Sequence, residues 1–190
     1  MINYNQLQKA LQDKNFAFFT GDLNINLIGI RTSNKLTNEF DDLLCIAFEE
    51  DGLKKVHVFK DFTTDPGFYY LKNKFLNPKG CAILKPGQYR GMFGFGLHRG
   101  KYRALVQIGK CTVYRDRTKD NKIDTDNEQT GLFGINMHHA YDSKEINKYS
   151  AGCQVHQDDA KLKKVLEICE RSATKYGGVF TYTLIESNDL

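Results

Sequence analysis

Apolar positions recur at helical spacing near both ends of the chain and at strand spacing through most of what lies between. Tyr4, Leu7, Ala10 and Leu11 fall on one side of a helix predicted over residues 4–14, with Asn3 as its N-cap. Leu162, Val165, Leu166, Cys169, Ala173 and Tyr176 repeat with the same period behind a second N-cap, Asp158, and Gly177-Gly178 ends that helix. Short strand-like runs cover residues 25–30, 43–48, the segment around Val56, Val58 and Phe59, then 81–84, 102–108, 111–115 and 179–185. Asp51-Gly52 predicts a hairpin turn, Asp65-Pro66-Gly67 a tight turn, and Gly109-Lys110 a turn joining two strands. Gly91, Gly94, Gly96 and Gly100 read as a loop, without the spacing or the Lys-Ser/Thr end of a phosphate-binding loop. Charges crowd Asp116 to Glu128, but no register there supplies both the central glycine and the closing glutamate of a calcium loop, so a solvated loop is expected. Strands outnumber helices, which predicts a β-rich α+β domain with peripheral helices.

Composition sharpens this picture only in part. The 190 residues fit a single domain, and 13 Phe with 10 Tyr supply the volume for one substantial core. Lys and Arg number 27 against 23 Asp and Glu, a net charge of +4, and the two signs are interspersed. No compact basic tract marks a nucleic-acid face, so nucleic acid is not an expected partner. The first residues, Met1-Ile2-Asn3-Tyr4-Asn5, have neither a basic start nor an apolar run, and no segment reaches the roughly eighteen apolar residues of a membrane span. The expectation is synthesis in the cytoplasm without a signal peptide and without a transmembrane segment. An extracytoplasmic target then requires cell lysis or assembly into a larger particle such as a virion.

Chemistry concentrates at one cysteine. Five Cys are odd in number, widely spaced and free of any Cys-x-x-Cys pair, which weighs against zinc fingers and redox pairs. Cys45, Cys81, Cys111 and Cys169 sit in apolar runs and are expected to be buried packing residues. Cys153 stands instead in the polar turn Ser150-Ala151-Gly152-Cys153-Gln154. An ordinary thiol needs a base to become a nucleophile at neutral pH, and His138 or His139 is placed to supply one. In an extended segment the two histidines point to opposite sides, so only one faces the cysteine. Metal ligation by His138, His139, Cys153 and His156 is the competing reading, disfavoured because adjacent histidines lack the spacing of a helical ligand pair. No cofactor is expected.

Gly134-Ile135-Asn136-Met137-His138 followed by Ser150-Ala151-Gly152-Cys153 resembles the active-site region of the L,D-transpeptidase catalytic domain. Asp65-Pro66-Gly67, Pro86-Gly87-Gln88-Tyr89, Gly100-Lys101-Tyr102 and Val113-Tyr114-Arg115-Asp116 resemble a divergent branch often encoded by phages. The resemblance implies an L,D-transpeptidase-like mixed β-sheet or sandwich core over residues 23–190, preceded by a helical lead-in over 1–22. It assigns Cys153 as nucleophile, His138 as base, and Ser150 and Gly152 as the frame of the catalytic turn. His139, Tyr89, His98, Arg99 and Tyr102 follow as substrate-binding or supporting residues. Ala151 stands where that family usually has a second histidine, and Val155 where an Arg or Asn is expected.

The activity so implied is cysteine-dependent cleavage of a peptide bond in peptidoglycan stem peptides, as a phage-associated carboxypeptidase or endopeptidase. Backbone N–H groups around Gly152 and Cys153 are expected to hold the oxyanion. The partners implied are bacterial peptidoglycan or its stem peptides, together with virion components. The alternatives are cross-linking by the same thioester, or an inactive virion or wall-binding protein, a reading that Ala151 and Val155 motivate.

Overall fold

The computed structural model describes residues 2–34, 37–73, 76–120 and 122–190. In chain order its elements are α1 (Tyr4–Asp13), β1 (Asn26–Arg31), β2 (Asp42–Glu50), β3 (Leu53–Thr63), β4 (Cys81–Leu84), β5 (Gly87–His98), β6 (Tyr102–Gln107), β7 (Cys111–Asp116), β8 (Glu128–Gly131), β9 (Met137–His139), β10 (Gln154–His156), α2 (Asp159–Tyr176) and β11 (Val179–Glu186). Eight strands close into a barrel in the order β1-β11-β5-β6-β9-β10-β3-β2, and β4-β7-β8 form a separate three-stranded sheet.

This closure corrects the expected fold. L,D-transpeptidase-like catalytic domains have an open β-sandwich, whereas here the sheet has no free edge, and assignment of the chain to that family falls with it. The closing pieces are short. β10 pairs with β9 in parallel and with β3 in antiparallel register, and β9 meets β6 through Leu105 and Met137. Three-residue strands of this kind, buried at every position, are too short for a period-2 pattern to show that the edges meet.

The helices form where local signals place them. Asn3 Oδ1 accepts from Gln6 N at 3.0 Å while Gln6 Oε1 accepts from Asn3 N at 3.0 Å, a reciprocal cap that starts α1. Tyr4, Leu7, Ala10 and Leu11 then cover Ile28, Ile30, Cys45, Ala47 and Ile185 on the outside of the barrel. Leu27, Leu44, Ile46, Phe48, Tyr182 and Leu184 fill the inside, so β1 is buried on both faces and reads as a continuous apolar run. Asp158 Oδ1 caps α2 by accepting from Lys161 N at 2.9 Å, and Leu162, Val165, Leu166 and Cys169 join the same core.

Two local expectations are also corrected. The glycine-bearing segment 91–98 is not a loop but most of β5, because Gly96 leaves room for Val106 of β6, whose Cγ2 would lie 2.6 Å from an added Cβ. β6 and β7 do not form a hairpin at Gly109-Lys110. The chain instead crosses there from the barrel to the small sheet, with Gly109 pressed against the Gly91 carbonyl.

One buried group is held at a cost. His156 is fully buried between Phe59 and Phe62, and neither ring nitrogen has a hydrogen-bond partner among the described residues. Burial pushes its pKa down from 6.5 to about 3. The native imidazole therefore stays neutral while the unfolded chain takes up a proton below about pH 6.5. Stability from this group is complete above that pH and is lost as pH falls toward 3. His156→Leu is expected to stabilise by about 1–3 kcal/mol at pH 7.5 by removing unpaired polar atoms. The gain should widen by about 2 kcal/mol at pH 5, a change read by urea unfolding at both pH values. A gain that does not grow on acidification would contradict this account.

Candidate functional site

A cavity of about 450 Å³ opens where the small sheet meets the β5, β9 and β10 end of the barrel, and Cys153, His138, His98, Asn136, Arg99 and Arg115 line it. Parallel pairing of β9 with β10 sets Val155 beside His138, which brings the turn before β10 next to the β9 histidine. The four other cysteines are buried, and only Cys153 is partly accessible.

The turn is built around two small residues. Ser150 Oγ donates to the Cys153 carbonyl at 2.9 Å and accepts from Gly152 N at 3.1 Å. Gly152 has φ +122°, and a Cβ there would stand 2.2 Å from the Ala82 carbonyl oxygen, so only glycine fits. Ala151 packs beside Tyr70, Leu71 and Cys81, an apolar position that a histidine would disturb. The Gly152 N–H is spent on Ser150, which corrects its expected place in an oxyanion hole. Ser150 thus shapes the turn and does not orient His138.

The cysteine and histidine share the cavity without a hydrogen bond between them. Cys153 Sγ donates to the Gly134 carbonyl at 3.5 Å and accepts from Asn136 N at 3.5 Å. Burial raises the thiol above its ordinary pKa, against the lowering effects of the Asn136 N–H and Arg99. His138 Nδ1 lies 3.0 Å from the His139 carbonyl oxygen, which can only accept, so the proton sits on Nδ1 and Nε2 carries the lone pair. That Nε2 is buried and has no hydrogen-bond partner among the described residues. Burial first, then the neighbouring His98, pushes the His138 pKa down to about 3, leaving a neutral base.

Asn136 organises the rest. Its Nδ2 donates to His98 Nδ1 at 3.2 Å, and the His98 ring stacks on His138 with centroids 3.9 Å apart. Its Oδ1 accepts from Gln107 N at 3.0 Å, while the Gln107 side-chain oxygen accepts from Phe133 N and Ile135 N and so pins the loop that presents the Gly134 carbonyl to Sγ. Neither Asn136 nor Gln107 was singled out as a site residue by sequence. Asn136 lies inside a quoted motif, whereas the role of Gln107 depends on three strands meeting.

The other expected site residues divide. His98 and Arg99 line the Cys153 cavity. His139 points the other way, between Tyr102 and Tyr141, into a separate hollow bordered by α2. Tyr102 belongs to that hollow, its hydroxyl donating to the His139 carbonyl at 3.3 Å. Tyr89 packs against the core, its hydroxyl within 2.6 Å of the Lys85 carbonyl, and does not line the Cys153 cavity. With His156 enclosed by phenylalanines, the set His138, His139, Cys153 and His156 does not converge on one point, and no other group of three His, Cys, Asp or Glu does so among the described residues. No helix of the described chain is long and apolar enough to cross a membrane. Compared with protein-family models, curated proteins and solved structures, the chain matches none of them.

Proposed function

We propose that the protein cleaves a peptide bond by cysteine-dependent acyl transfer, with Cys153 as nucleophile and His138 as base. The observation that carries this reading is the unpaired Nε2 of His138, fixed as a lone-pair nitrogen by its own Nδ1–H bond, in the cavity of the one accessible cysteine. A buried acceptor without a partner is costly in a folded chain, and catalytic sites are where such costs are tolerated.

In the reaction the thiol turns from the Gly134 carbonyl toward His138, whose Nε2 takes the proton as Sγ attacks the carbonyl carbon. The carbonyl π electrons move to oxygen, and with the Gly152 N–H held by Ser150 the Cys153 N–H is the turn donor assigned to that charge. Collapse breaks the C–N bond, the departing amine takes the proton from His138, and a thioester remains. Water then attacks with His138 again as base, releasing the carboxylic acid and restoring the thiol. An amine in place of water gives the transfer product. Bacterial cell-wall stem peptides are the first substrate class to test.

The test is incubation of the full chain with stem-peptide fragments of varied chemistry and with unrelated peptides, followed by intact-mass analysis. The expected result is a transient acyl adduct on Cys153 and a product carrying one atom of ¹⁸O from labelled water. Absence of both adduct and product across the panel overturns the proposal in favour of a binding or structural role.

A further inference from the structure

The wall of the Cys153 cavity carries charge of one sign. Arg99 and Arg115 line it, and among the described lining residues there is no Asp or Glu. Arg115 is buried, with its guanidinium carbon 4.7 Å from the centre of the Phe133 ring. Its Nε donates to Gln129 Oε1 at 2.8 Å and its Nη1 to the Gly80 carbonyl at 3.2 Å, both uncharged acceptors. No described carboxylate forms an ion pair with it. Asp116, next in sequence, turns away and accepts from Thr118 N, Thr118 Oγ1 and Asp124 N. Burying a guanidinium without a counter-charge is unfavourable, and desolvation pulls Arg115 below its ordinary pKa. Arg99 is exposed at the rim and near enough to favour the Cys153 thiolate.

We infer that Arg115, with Arg99 at the rim, binds a carboxylate of the substrate, so that the acyl donor presented to Cys153 is an acidic peptide or amino-acid derivative. The edge of a planar guanidinium matches a carboxylate, and one buried cation balances one monoanion. Arg115 is then a specificity-determining residue that takes no part in proton transfer. The inference rests on Cys153 being the reacting group of this cavity.

Iodoacetate and iodoacetamide separate the charge from everything else. Each forms an S–C bond, expels iodide and releases the thiol proton to His138 or solvent, and only the first carries a carboxylate. Alkylation of Cys153 in the full chain is followed by peptide mass analysis, with N-acetylcysteine as the reference thiol. The iodoacetate-to-iodoacetamide rate ratio is expected to exceed that of the reference by about tenfold or more, the size of one charge-assisted hydrogen bond. Arg115→Gln should return it to the reference value. Because Arg115 also ties β7 to Gly80, two measurements that spare it run in parallel. Arg99→Gln should lower the ratio in part, and acetate should protect the unaltered chain from iodoacetamide saturably while acetamide does not.

A reference-like ratio in the unaltered chain, a ratio indifferent to Arg115→Gln in a folded variant, or equal protection by acetate and acetamide overturns the inference. Stronger protection by inorganic phosphate than by acetate also overturns it, in favour of a phosphate ester. Alkylation needs no turnover, so failure here is distinguishable from failure of the hydrolase proposal.

Discussion

Cys153→Ala is expected to lower peptide cleavage to the uncatalysed background, and His138→Gln to lower kcat/KM by about 10²- to 10⁴-fold, the usual contribution of a positioned base. Glutamine keeps a polar side chain of similar reach but cannot accept the thiol proton and pass it on. Because the two residues act in one step, the double variant should be no slower than Cys153→Ala alone. The pH profile gives an independent check. His138 is held neutral down to about pH 3 and the Cys153 thiol is raised above its ordinary value. Neither group changes charge between about pH 4 and pH 8, so kcat/KM should be flat across that window. A thiolate–imidazolium pair would instead lose activity as pH falls through the thiol pKa. A bell centred near neutrality, or an unchanged rate in a folded His138→Gln variant, would remove His138 from the reaction.

What could be read in the sequence follows from how local each signal is. Asn3 and Asp158 announce their helices because a cap and a 3.6-residue period lie within a few residues of each other. The β2–β3 hairpin is equally local, set by Asp51-Gly52. Barrel closure is not, since it depends on β9 and β10, three residues each, finding β6 and β3 across the chain. The misassigned segment 91–98 shows the same limit: glycines that signal flexibility in isolation serve here to admit Val106 from a neighbouring strand. Resemblance in short motifs pointed to Cys153 and His138, which do line one cavity, yet it implied an open sandwich that the chain does not adopt. Opposite facing of His138 and His139 was legible from strand periodicity. Asn136, Gln107 and Arg115 were not, because their roles come from partners 26 to 38 residues away or from the lack of an ion-pair partner.

Arg31→Leu is expected to destabilise the fold by about 3–5 kcal/mol at pH 7.5, because it strands two buried carboxylates. Arg31, at the end of β1, donates through Nε to Thr64 Oγ1 at 2.8 Å and pairs with Asp65 Oδ1 at 2.9 Å, while Nη2 donates to the Thr64 carbonyl at 3.1 Å. Asp42, at the start of β2, accepts from Thr32 N, Thr64 N and Thr64 Oγ1, which ties three chain segments to one carboxylate. One guanidinium serves two acids, and burial raises both, Asp65 to about 7. For an acid with a raised folded pKa the sign is the reverse of an ordinary salt bridge. The native state holds a proton that the unfolded chain has released, so this stability is full below about pH 4 and lost as pH rises through 7. Without Arg31 the carboxyls rise further, and the penalty should be largest at pH 7.5 and smaller at pH 4.5, as read by chemical denaturation. The loss should reach the site as well. Asp65 leads into Gly67, whose N–H donates to the Ser150 carbonyl at 2.9 Å, and a Cβ at Gly67 would strike the Asn147 backbone at 2.2 Å. The network therefore braces the loop that carries Cys153, and Arg31→Leu should loosen that turn under conditions where the barrel is still folded. Faster alkylation of Cys153 by iodoacetamide below the unfolding transition is the expected sign, and a rate equal to that of the unaltered chain would confine the role of Arg31 to the barrel.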